Sequence, residues 1–143
     1  MKKFNFRLQR VLEIKDKIRE ISKIELSKKA SEYNIEVSKL NKLKEEKKNA
    51  LRDMKNVKDL ELLQLMDNYI VSNENLQKYK QIDIKAKEKP FKEALQKYLE
   101  KDKEVKVLEK LKENYYNNYI RESLKEEEKN IDDLLSSRRN YEV

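Results

Sequence analysis

The chain has 143 residues, 44% of them charged, with a formal net charge of +7, one Pro and no Gly, Cys, His or Trp. That composition excludes glycine-built nucleotide loops, thiolate chemistry, the usual zinc ligands and the commonest general base, so neither an enzyme nor a cofactor or metal site is expected. With almost no turn formers, a globule of many connections is excluded as well, and good helix formers with apolar residues at helical spacing predict an all-α chain of long helices.

The first dozen residues interleave Lys2, Lys3, Arg7 and Arg10 with Phe4, Phe6, Leu8, Val11 and Leu12, and no acid appears before Glu13. From Phe4, apolar residues fall at Leu8, Val11, Ile14, Ile18 and Ile21, in steps of three and four that mark one helical stripe. The stripe continues at Leu26, Ala30, Tyr33, Val37, Leu40 and Leu43, then Ala50, Leu51 and Met54. The heptad is clean from Leu26 to Leu40 and drifts on either side, as stutters would make it drift. A narrow stripe with charge on the other faces is a coiled-coil seam. It predicts a first helix over about 4–54, roughly 75 Å long at ~1.5 Å per residue.

The strongest turn signal is Asp53-Met-Lys-Asn-Val-Lys-Asp-Leu60. Asn56 as an N-cap, with Asp59 three residues on to reach back to its amide, would open a second helix over about 57–140. Rival turns sit at Asp67-Asn68 and Ser72-Asn73, nearer the chain midpoint. Leu60, Leu62, Leu63, Leu65, Met66, Tyr69, Ile70 and Val71 cover more than one helical face, which calls either for a further partner or for local packing at a hairpin tip. Pro90 removes one helix hydrogen bond, so a kink or short break is expected between Glu88 and Pro90. Phe91, Tyr98 and Val105 then recur every seventh residue beside Ala94, Leu95, Leu108, Leu111 and Tyr115, and Tyr119, Leu124, Ile131, Leu134 and Leu135 carry the stripe onward. The last residues, from Ser136 to Val143, lack a stripe and are expected to fray.

Two long helices joined by a short connection fold back on each other, so the predicted architecture is an antiparallel coiled-coil hairpin forming a single domain over residues 1–143. A turn near residue 55 makes the second helix outrun the first by about 30 residues, whereas a turn near residue 72 makes the arms match.

Charge is uneven along the chain. Residues 1–50 carry 15 Lys and Arg against 8 Asp and Glu, while residues 51–143 carry 20 of each, so the whole excess lies in the first third. Either an acidic partner meets that part of the chain, or a Lys-rich composition has clustered. Lys and Arg beside Phe4, Phe6 and Tyr33 suit nucleic-acid phosphates and stacked bases, but acids mix with the bases from Glu13 onward, as on a solvated coiled-coil face. A basic amphipathic N-terminus also suits an anionic membrane surface. No stretch approaches the ~20 apolar residues of a membrane span, and the two N-terminal lysines precede no apolar core of a secretory signal, so no transmembrane segment is expected. Tyr115, Tyr116 and Tyr119 read as core packing or as an interface cluster.

The opening Phe4-Asn-Phe-Arg-Leu-Gln-Arg-Val-Leu12 resembles the N-terminus of the FliJ family, small coiled-coil proteins of the bacterial flagellar export apparatus. Leu108-Glu-Lys-Leu-Lys-Glu113 is similar to the Leu-Glu-x-Leu core of that family's C-terminal helix. Lys129-Asn-Ile-Asp-Asp133 is similar to its ending of Lys, an aliphatic residue and two acids, with Asp133 standing where the family has Glu. The resemblance spans essentially the whole chain. It implies a two-helix coiled coil like the central stalk of rotary ATPases, which would enter the export ATPase ring, promote its assembly and couple it to the membrane-embedded export gate. Export chaperones are further implied partners, and the implied location is cytoplasmic, peripheral to the apparatus at the inner membrane. Under this reading Lys2, Lys3, Arg7 and Arg10, with Asp132 and Arg138 of the second helix, face the ATPase, and Tyr69, Ile70 and Leu76 face the gate. The alternatives are a stalk or scaffold of a related type III secretion system, and a basic helical nucleic-acid binder, although no nucleic acid is expected under the leading reading.

Overall fold

A computed structural model describes residues 2–141. Two helices account for nearly all of it: α1, Gln9–Met54, of 46 residues, and α2, Leu60–Tyr141, of 82 residues. They pack against each other as an all-α hairpin, with no strand among the described residues.

The connection falls where Asp53 to Leu60 signalled it. The amides of Lys55, Asn56 and Val57 each donate to the carbonyl three residues earlier, at 3.3 Å, so α1 tightens as it ends. The cap of α2 is Asp59 rather than Asn56: its Oδ1 accepts from the Glu61 amide at 3.1 Å and its carbonyl accepts from the Leu63 amide at 3.0 Å. Asn56 is consumed in the closing turn of α1, which leaves Asp59 as the last short acceptor before the apolar run. The rival turns at Asp67 and Ser72 lie inside α2. Of the kink or short break expected at Pro90, the break does not occur: α2 is continuous across it. Proline forfeits one backbone bond there, but the adjoining turns are held by the Lys92–Glu88 ion pair at 2.8 Å and by Phe91 stacked on Tyr33, with ring centroids 5.4 Å apart and planes 4° apart. α2 keeps helical geometry past Ser136 to Tyr141; Glu142 and Val143 lie outside the described residues.

The chain gathers into two compact units, one of the residues up to Glu20 and from Glu100 onward, the other Ile21–Leu99. In the second unit Leu40 and Ile70 are buried, and cross-helix ion pairs run Glu25–Lys97, Glu32–Lys87, Glu36–Lys80 and Lys47–Glu74, with partner numbers falling as α1 advances, as antiparallel helices require. Asn73 is buried at the seam, where its side-chain amide donates to the Leu43 carbonyl at 3.0 Å and its oxygen accepts from Gln77 at 2.7 Å. A satisfied polar group of this kind favours one register over its neighbours. In the first unit Phe6, Leu12 and Val105 form the core, with Phe4, Leu8, Leu108 and Leu111 against it.

The seam of α1 differs from the predicted stripe at its N-terminal end. Val11, Ile14 and Ile21 are exposed, whereas Leu12 and Ser22 are buried and Lys15 and Arg19 are half-buried. The heptad through Leu26, Tyr33 and Leu40 therefore extends back to Arg19 and Leu12 without a stutter. A charged residue is tolerated at the seam because it is neutralised there: Arg19 bonds Asp16 at 2.6 Å and Asp102 of α2 at 3.2 Å.

Candidate partner-binding surfaces

Residues 2–6 have no regular structure and α1 begins only at Gln9, so the predicted helix over Phe4–Leu8 is absent. The reason is the Phe4-Asn-Phe6 spacing. A period of two suits an extended strand of chain laid across a helix, where both rings reach the same surface. Phe4 meets Tyr116 edge-on at 5.2 Å and Tyr119 at 5.5 Å, and Phe6, only 4% exposed, meets Tyr115 at 5.8 Å. The Tyr119 hydroxyl donates to the Lys2 carbonyl at 2.5 Å, and the Gln9 amide donates to the Phe6 carbonyl at 3.0 Å where the segment turns into the helix. The tyrosine cluster thus packs against an extended arm rather than a helical seam, with Tyr115 and Tyr116 still 47% exposed.

This arm leaves its cations outward. Lys2, Lys3, Arg7 and Arg10 are all exposed. Arg7 and Arg10 line an open groove of about 510 Å³ with Asn5, Gln9, Glu13 and Lys17. Asp132 and Arg138 are exposed in the same unit, within a stretch of α2 from Leu124 to Asn140 in which every residue is exposed. They are not brought into contact with Arg7 or Arg10: Asp132 lies 13 residues past Tyr119, about 20 Å along the helix. The first unit also carries a groove that periodicity misassigned. Val11, placed in the predicted seam, lines an open apolar groove of about 540 Å³ with Val107 and Leu108, edged by Lys15, Glu100, Lys103 and Glu104. The signal available in the sequence was the clean heptad at Leu26–Leu40, which, continued backward, omits Val11.

In the second unit Tyr69 and Leu76 are half exposed on α2, while Ile70 is 6% exposed and belongs to the buried seam. Leu62, Leu65, Tyr69, Leu76 and Tyr79 follow heptad-like steps one residue ahead of the seam positions Leu63, Met66, Ile70 and Asn73. The broad apolar run after the turn therefore holds one packed stripe and one open stripe beside it, with Leu60 and Val71 exposed outside both.

The electrostatics of both units are those of paired helices. The Glu36 carboxylate is held below its usual range by the hydrogen bond from Lys80, whose ammonium is correspondingly raised. Asp102 is also lowered, first by the Lys106 hydrogen bond and further by Arg19. The rings that would stack bases are engaged inside the molecule, Phe4 and Phe6 on tyrosines and Tyr33 on Phe91. No helix of the described residues is long and apolar enough to cross a membrane.

An aromatic arm clamped on the longer of two coiled-coil helices, with the arginines outside it, is the feature that the family comparison meets at its N-terminal edge: the profile described as "Flagellar FliJ protein" matches residues 4–141. The chain belongs to the FliJ family. Comparison with curated proteins and with solved structures returns no match. As a FliJ-family protein the chain is a component of the flagellar export apparatus and serves protein transport and motility. The three segments that resembled the family, Phe4–Leu12, Leu108–Glu113 and Lys129–Asp133, all lie in the matched region and in the first unit.

Proposed function

We propose that this FliJ-family chain acts as a non-enzymatic stalk that binds the export ATPase ring, promotes its assembly and couples it to the membrane export gate. The observation that carries the reading is the terminal unit: the Phe4–Phe6 arm is fixed on α2 by three aromatic contacts, while Lys2, Lys3, Arg7 and Arg10 remain free for an acidic lining. Preorganised cations on a rigid support bind with little ordering cost. α2 then continues as an exposed helix bearing Asp132 and Arg138, long enough to enter a ring. A stalk that binds assembled subunits better than free ones shifts the equilibrium toward the ring, by linkage.

The gate contact in this reading falls on the open stripe with Tyr69 and Leu76, and Ile70 supports it from the seam. Export chaperones complete the set of partners, and the working location is the cytoplasmic face of the export apparatus. The decisive experiment measures ATPase rate against enzyme concentration with and without this protein. Stimulation at low enzyme concentration, with a larger ring population, is expected. Arg7→Glu with Arg10→Glu abolishes the stimulation and leaves the helical circular dichroism intact. Unchanged ATPase kinetics and ring population with the wild-type chain refute the proposal.

A further inference from the structure

The terminal arm and the start of α1 account for four cations of the basic first third. A second concentration lies at the other end of α1, in the second unit, and the stalk reading does not use it. Lys44, Lys48, Leu51 and Lys55 follow steps of four, three and four, one outward face of the helix and the residue just past its end. With Lys47 and Arg52 they line an open groove of about 400 Å³ whose lining holds no acid. Lys47 is paired with Glu74 at 3.0 Å and Arg52 donates to Asn49 at 3.2 Å, whereas Lys44, Lys48 and Lys55 make no ion pair among the described residues. Cations in a last turn ordinarily offset the helix dipole, but that effect dies within one turn and does not reach Lys44 or Lys48.

We propose that this patch is a docking site for the anionic lipid headgroups of a bilayer surface. Charge complementarity selects an anionic occupant, and the chemistry of the patch selects which. Four of its five cations are lysines, point charges suited to a diffuse anionic surface rather than to the forked recognition that arginine gives to one phosphate or base. Residues 34–68 contain no Phe, Tyr or Trp, so nothing stacks a nucleic-acid base, and the aromatic anchors typical of protein–protein hot spots are missing. The apolar member of the patch is instead Leu51, 46% exposed and lining the groove with the lysines, an apolar contact of the kind an interfacial helix uses. The cations spread over 12 residues, Lys44 to Lys55, about 16 Å along α1 and just past its end, wide enough to meet several headgroups at once. Each one near an anionic surface strengthens binding roughly fivefold, so the four not tied to Glu74 together supply roughly several hundredfold.

The test uses the full chain and large vesicles of phosphatidylcholine with or without phosphatidylglycerol, in a co-sedimentation assay at physiological ionic strength. Binding is expected to the phosphatidylglycerol vesicles alone and to weaken as salt is added. The variant K44Q/K48Q/R52Q/K55Q loses roughly two to three orders of magnitude in affinity, while K2Q/K3Q/R7Q/R10Q retains most of it. The chain has no cysteine, so Leu51→Cys and Asn5→Cys each carry a single environment-sensitive dye on an otherwise unaltered protein. The dye at 51 shifts to the blue on phosphatidylglycerol vesicles and the dye at 5 does not, which answers the question even if the quadruple variant fails to fold. No binding to phosphatidylglycerol vesicles, loss confined to the N-terminal variant, a blue shift at 5 rather than 51, or tighter binding to duplex DNA or polyglutamate than to vesicles overturns the proposal. None of these outcomes bears on ATPase stimulation, which reads the other unit.

Discussion

Replacing Val105 with Ala probes the core that holds the N-terminal arm. Val105 is 0% exposed and sits with Phe6 and Leu12, against Leu108 and Leu111. Two carbon groups leave a site with no access to water, worth ~0.8 kcal/mol each in transfer, and the residual cavity adds a fraction more, for a total of about 2 kcal/mol. For a chain of this size that corresponds to a fall of about 4–8 °C in Tm. Val107→Ala is the internal control. It makes the same chemical change two residues later on the same helix, where the side chain is 59% exposed, and its cost stays within about 0.5 kcal/mol. The small gain in helix propensity from Val to Ala is common to both and cancels in the comparison. The assay is urea and thermal unfolding followed by circular dichroism, with protease cleavage of the first residues as a second readout, since loosening the floor beneath Phe6 frees the arm. Equal destabilisation by the two substitutions, or a larger effect at 107, refutes the assigned core.

Three further outcomes follow from the same structure. Pro90→Ala restores the missing amide donor in the middle of α2 and raises stability by about 2 kcal/mol, the ~3 kcal/mol propensity gap less the entropy proline removes from the unfolded chain; an unchanged or lower Tm contradicts the continuous helix. Asp59→Ala costs about 1 kcal/mol as a lost N-cap, while Asn56→Ala stays within about 0.5 kcal/mol, and the reverse order in equilibrium unfolding places the cap at Asn56. Glu36 and Asp102 have folded pKa values below their usual ones, so their contribution is complete above the unfolded carboxylate range near pH 4 and is lost as pH falls through the lower folded values. Tm at fixed ionic strength should therefore hold from pH 7 to about pH 5 and decline below about pH 4, with a weaker decline in Glu36→Gln; a flat profile down to pH 2 argues against these pairs.

Much of the fold is legible in the residues because its determinants are local. Helical period and the scarcity of turn formers together give two helices, and the cluster of Asp and Asn at 53–59 is the strongest of three turn signals, the one at which the chain does turn. Local rules also mark where legibility ends. Pro90 reads as a kink or break by its own chemistry, yet Tyr33, 57 residues earlier, stacks on the next ring and the helix runs on. The candidate contacts divide in the same way: exposure of Lys2, Lys3, Arg7, Arg10, Asp132 and Arg138 is what charge predicts, whereas the separation of Tyr69 and Leu76 from buried Ile70 depends on which stripe the opposite helix covers.

Composition and periodicity by themselves determined an all-α hairpin with its excess charge in the first third, and left its turn open between residues near 55 and near 72. Only the tertiary structure decided which of two overlapping stripes on α1 is buried, and that the first residues are an extended arm. The physical reason is distance along the chain. Arg19 is admissible at the seam because Asp102 neutralises it from 83 positions away, and Phe4 and Phe6 leave the helix because Tyr115, Tyr116 and Tyr119 offer their rings a better surface than the next helical turn would. A pattern read over seven residues carries no information about partners more than eighty residues away.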